Sequence, residues 1–112
     1  LKPDLAATIS TPEFTDRYFI EVDRATENPA RVIRKCQQYA TYRRLGVEQE
    51  RHGAFPLVVW IVPTSQRREQ LQRHLAEQER LPGHLFAVVT PDEFIPLLQG
   101  GPTTSSPIER HG

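Results

Sequence analysis

RYFIEVDRAT, residues 17–26, alternates side chains in the manner of a β-strand and sets two acids, Glu21 and Asp23, on one side of the backbone. Successive strand side chains point to opposite faces. Tyr18, Ile20 and Val22 therefore share one face, and Phe19, Glu21 and Asp23 the other. Two positions along a strand put the carboxylates about 7 Å apart. Like charges that close repel. Either the face is solvated or a bound cation holds the pair.

The chain around this stretch gives the strand its neighbours. DLAATIS (4–10) reads as a first strand, and TPEFTD, with Pro12 and Asp16 as breakers, as a turn leading into the second. So short a connection predicts an antiparallel pair. TENPARVIRKCQQYATYRRLG (26–46) follows as a helix, with Asn28 as N-cap, Pro29 at the first helical position and Gly46 at the end. Val32, Cys36, Tyr39 and Ala40 form its apolar stripe. VEQERHGA (47–54) reads as a polar loop, and FPLVVWIVP (55–63) as a strand covered on both faces. TSQRREQLQRHLAEQERLPG (64–83) is a second helix, capped by Thr64 or Ser65 and ended by Pro82 and Gly83. Leu71, His74, Leu75 and Gln78 mark its narrow buried edge, and the charged remainder reads as a solvated face. HLFAVVTP (84–91) is another covered strand and PDEFIPLLQGG (91–101) a short final helix or turn. The order β-β-α-β-α-β-α predicts an α/β fold: a mixed sheet with an antiparallel start, then β-α-β crossovers.

Composition narrows the function classes. At 112 residues the length suits one domain, expected over 1–100, with a disordered tail over 101–112. Formal net charge is zero, so any nucleic-acid contact must come from a local patch. Lys2 and Lys35 are the only lysines among 14 cations, and the arginine excess suits phosphate recognition or reflects a GC-rich genome. The single cysteine, Cys36, excludes an internal disulfide and a cysteine-based zinc site, and fits a cytoplasmic setting. FPLVVWIVP is too short to span a bilayer. The start, LKPDLAATIS, lacks an initiator Met and reads as a piece of a longer protein.

With the first two strands side by side, Asp4 reaches the end of the sheet that carries Glu21 and Asp23. Three hard oxygen ligands suit Mg²⁺ or Mn²⁺, and such an ion activates water and stabilises charge on a phosphate. The competing reading is a solvated acid pair beside a turn aspartate. Lys35, Gln38 and Tyr42 fall at helical offsets on one edge of the first helix. They are either partners of that site or the polar border of an amphipathic helix.

These pieces resemble a known pattern. The Pro3-Asp4 pair, a strand with an acid at the first of two alternating positions, and a following helix resemble the PD-(D/E)XK phosphodiesterases, and QYATY (38–42) resembles the Gln-x-x-x-Tyr element of their exonuclease branch. KPDLAATI, YFIEVDRATENPARVIRKCQQYATY, FPLVVWIVPT and LFAVVTPDEF, over about residues 1–98, resemble more narrowly the C-terminal half of replication-relaxation proteins of bacterial plasmids and integrative elements. In those proteins a winged-helix DNA-binding part usually precedes this domain. The resemblance implies Asp4 and Glu21 as metal-binding acids and a role for Asp23, Lys35, Gln38 and Tyr42 around them. DNA is the implied partner, also through other parts of the full-length protein. Asp23 stands where the superfamily has its lysine. Either Lys35 replaces that lysine from the helix, or catalysis is weak or lost.

The implied function is Mg²⁺- or Mn²⁺-dependent hydrolysis of a DNA phosphodiester. A non-catalytic scaffold of the same fold is the alternative, and a doubly wound nucleotide-binding module, with its ligand at a strand-order reversal, is a third. The four histidines lack zinc spacing, and no nucleophile elbow or glycine-rich phosphate loop occurs. Arg43 and Arg44 either extend a phosphate-binding surface or answer the helix dipole. Trp60 reads as core.

Overall fold

A computed structural model describes residues 1–100; the expected tail, 101–112, lies outside the described residues. Strands β1 (Leu5–Ser10), β2 (Thr15–Val22), β3 (Leu57–Ile61) and β4 (Phe86–Val89) form one sheet in the order β1-β2-β3-β4. β1 and β2 pair antiparallel, with Leu5 opposite Ile20 and Ser10 opposite Thr15. β2, β3 and β4 run parallel. The expected mixed α/β sheet is therefore present. Its strand order contains no reversal, so the crevice on which a doubly wound module relies does not exist here.

Helix α1 (Pro29–Leu45) starts and stops as its punctuation predicts. Asn28 accepts a hydrogen bond from the Ala30 amide at 2.9 Å, and Gly46 closes the end at φ 76°. That left-handed backbone favours glycine. The stretch read as a polar loop is instead a short helix, α2 (Val47–His52), ended by Gly53 at φ 83°. Glu48 and Glu50 in its first turn and Arg51 and His52 in its last complement the helix dipole. Six residues are too few for an apolar period to show.

Helix α3 (Ser65–Ala76) is capped by Thr64, whose hydroxyl accepts from the Arg67 amide at 3.1 Å. It ends seven residues before Gly83 because the chain must turn to bury Leu81 in the core. A 3₁₀ turn (Gly83–Leu85) then leads into β4, and α4 (Pro91–Gly100) closes the described chain.

Consecutive parallel strands added in one direction send their crossover helices to one face of the sheet. That face carries Phe19, Val58, Trp60 and Val88, packed against Val32, Cys36 and Tyr39 of α1 and Leu71 and Leu75 of α3. The opposite face carries Tyr18, Ile20, Val59 and Ala87, and α4 packs on it through Leu97. Phe19, Glu21 and Asp23 thus look toward α1 and α3. The acids lie on the covered face, not on a solvated one.

Truncating the fully buried Leu71 to alanine is expected to cost about 2–5 kcal/mol. The same change at the exposed Ile95 should stay within about 0.5 kcal/mol. Urea denaturation of the two variants beside the parent checks both.

Candidate functional site

The acids gather where β2 ends. Asp4 precedes β1, and its Oδ2 accepts a hydrogen bond from the Val22 amide at 2.8 Å. This bond draws the Asp4 carboxylate to the end of the neighbouring strand. Glu21 is only 3% exposed. Its Oε2 accepts from the Tyr39 hydroxyl and lies 3.4 Å from Lys35 Nζ. Lys35 also donates to the Lys2 carbonyl at 3.1 Å, which bridges the N-terminal segment to α1.

Burial pushes the Glu21 carboxyl above the ordinary glutamate range. Tyr39 and Lys35 draw it back, and the charge of Asp4 raises it further. The coupling to Asp4 means that the two carboxylates feel one another across the strand pair. Burial, and then Glu21 itself, drive the Tyr39 phenol strongly upward, so Tyr39 stays a proton donor to Glu21. Cys36, wholly buried beneath them, is pushed up to about 12 by desolvation. It behaves as packing, not as a nucleophile.

Asp23 has a different partner. Arg67 Nε donates to Asp23 Oδ2 at 2.9 Å and Nη2 donates to Oδ1 at 3.0 Å, a two-pronged pair. Arg67 Nη2 also donates to the Glu27 carbonyl, and Nη1 to Gln70 Oε1, each at 2.9 Å. The charged helix face inferred from the sequence therefore has one buried member, 6% exposed. Arg67 precedes Leu71 by four positions and Leu75 by eight, so it lies on their stripe. That phase is the signal that could have found it.

Of the six residues proposed from the sequence, the structure brings Asp4, Glu21 and Lys35 together. Asp23 lies beside them with both oxygens engaged by Arg67. Gln38 is exposed on the outside of α1. Tyr42 donates instead to Glu48 Oε2 at 2.7 Å, in a cluster where Arg17 Nη2 donates to Glu48 Oε1 at 2.6 Å. Seven residues of helix carry Tyr42 about 10 Å along the axis from Lys35. Tyr39, assigned to the apolar stripe, is the tyrosine that reaches Glu21. A cavity of about 460 Å³ opens beside the acids, walled by Asp4, Asp23, Arg24, Thr26, Glu27 and Trp60. Its loop holds Ala25 at φ 60°, a left-handed backbone that costs a non-glycine residue about 1–2 kcal/mol.

Among the described residues no group of three or more His, Cys, Asp or Glu side chains is arranged to hold a metal ion. Asp4 and Glu21 supply two carboxylates. That number fits Mg²⁺, which commonly takes one or two and completes its shell with water and phosphate.

A family model described as replication-relaxation matches residues 1–58. The chain belongs to the replication-relaxation family. The match runs from Asp4 through Glu21, Asp23, Lys35 and Tyr39 to the start of β3, so the replication-relaxation segment contains the whole acid cluster. Arg67 lies beyond it. No curated protein and no solved structure matches the chain. No helix among the described residues is long and apolar enough to cross a membrane.

Removing Asp23 while Arg67 stays leaves a buried guanidinium uncompensated. Asp23→Ala is expected to cost about 3–5 kcal/mol in chemical denaturation. Glu21 has the opposite sign. Its folded value lies above its unfolded one, so its contribution to stability is complete below about pH 4.5 and is lost as pH rises through the raised value. Glu21→Gln should therefore raise the thermal midpoint at pH 7–8, with the gain shrinking toward pH 4.

Proposed function

We propose that this replication-relaxation domain is a nuclease-like module that hydrolyses a DNA phosphodiester with Mg²⁺ or Mn²⁺ held by Asp4 and Glu21. The observation that carries the reading is Lys35 Nζ, 3.4 Å from Glu21 Oε2. A cation at this point is the element that Asp23, standing at the lysine position of the PD-(D/E)XK pattern, cannot supply. The lysine has moved from the strand to α1.

Each residue has a physical task in this reading. Lys35 orients the attacking water and offsets charge developing on the phosphate. Tyr39 holds the Glu21 carboxylate in one orientation. Arg24 and Thr26, on the wall of the adjoining cavity, offer donors to the phosphate backbone. Asp23 and Arg67 position the loop and take no part in the chemistry. The ion, when bound, lowers the pKa of water and neutralises phosphate charge. With a net charge of zero the domain draws little affinity from counterion release, so tight DNA binding rests on other parts of the full-length protein.

A second reading, a non-catalytic scaffold with the same fold, draws support from the engagement of Asp23 by Arg67 and from the missing third carboxylate. Calorimetric titration of Mn²⁺ and Mg²⁺ separates the two. The nuclease reading expects saturable binding that Glu21→Ala abolishes. It also expects Lys35→Ala to retain metal while plasmid cleavage falls by about 10²-fold or more. A folded parent that takes up no metal at millimolar concentration sinks the nuclease reading in favour of the scaffold.

A further inference from the structure

The far end of the sheet, where β2, β3 and β4 begin, holds a second cavity of about 300 Å³. Four elements bring nitrogen donors to its wall: Arg17 from β2, Arg43 from the last turn of α1, His52 from the end of α2 and His84 from the 3₁₀ turn before β4. Phe55, Leu57 and Leu85 line the same space. Asp16 is the one carboxylate on the wall, and Glu48 stands behind Arg17 as its ion-pair partner.

Two features distinguish this place from an ordinary basic surface. Arg17 Nη1 is buried and has no hydrogen-bond acceptor among the described residues, although Nη2 is bound to Glu48. A buried donor left unmade is costly, more so for a charged group, and native structures rarely tolerate one without a reason. Arg43, moreover, comes to this wall from the last turn of α1, on a different element from Arg17. Its backbone carbonyl is occupied with Gly46 and Gln49, which fixes where the side chain begins.

We propose that this cavity is a binding site for the phosphate group of a phosphorylated organic molecule, independent of the acid cluster at the opposite end of the sheet. Arg43 and the two imidazoles meet the phosphate first, and a small turn of Arg17 gives Nη1 the acceptor it lacks. Planar guanidinium donors from two directions match phosphate oxygens. The apolar wall around Phe55, whose ring packs edge-on against Phe19 and Tyr42, receives the organic part. A volume of this size is at the lower end for small-molecule clefts and larger than a bare phosphate needs.

The test titrates four probes into the full 112-residue chain, followed by amide NMR shifts: inorganic phosphate, adenosine monophosphate, adenosine and a short single-stranded DNA. Saturable shifts at Arg17, Phe55 and Leu85 are expected with the phosphate-bearing probes and not with adenosine. Arg43→Ala, which leaves the backbone contacts of α1 intact, should weaken binding about tenfold. Asp16→Asn should tighten it, because the only carboxylate on the wall is then neutral. Tighter binding of the nucleotide than of the DNA makes a free small molecule the source of the phosphate; the reverse order makes it a nucleic-acid strand. Absence of saturation, equal binding of adenosine, or unchanged affinity in Arg43→Ala overturns the proposal.

Discussion

The guanidinium of Arg67, closed on both oxygens of Asp23, ties together three parts of the chain that no stretch of sequence connects. It joins the residue just past β2 to the first turn of α3, and through the Glu27 carbonyl it holds the loop that leads into α1. A pair this deeply buried contributes little net stability against an apolar substitute, because both ions lose their water. Its effect is on geometry. With the loop fixed, α1 begins at a defined point, and Lys35 and Tyr39 descend its inner face onto Glu21.

The position of Glu21 follows from the same constraint. Phe19, Glu21 and Asp23 share the face that α1 and α3 cover, so a carboxylate is carried into the interior with the apolar side chains. The protein answers with a phenol and an ammonium, and the carboxyl still sits above its ordinary range. A buried acid held at a cost, beside a second acid and a lysine, is the kind of feature that marks functional sites.

The two ends of the sheet differ in kind. The end of β2 carries the acids, with Asp4 added from the segment that precedes β1. The beginnings of the parallel strands carry arginines and histidines, with Glu48 and Asp16 as counter-charges. α1 spans the distance between them, which is why residues a few positions apart on one helix edge serve different ends. Tyr42 belongs to the Arg17–Glu48 cluster and Lys35 to the Glu21 cluster.

Read alone, the sequence determined the alternation of β2, the caps of α1, the covered strands and, from these, a mixed α/β sheet with an antiparallel start. Those signals are local: a period of two, a proline at a helix start, a glycine in the left-handed region. It also pointed to Asp4, Glu21 and Lys35, since strand adjacency and helix phase place them near one another. The tertiary structure decided the rest. Helix α2 was too short to show a period, and α3 ended early because Leu81 is drawn into the core. Arg67 came to Asp23 across 44 positions, and Tyr39 rather than Tyr42 reached the acid. Such pairings depend on which helix packs on which strand and on how far along its axis each side chain falls. Periodicity names the face that a residue occupies; only the packed chain sets what that face meets.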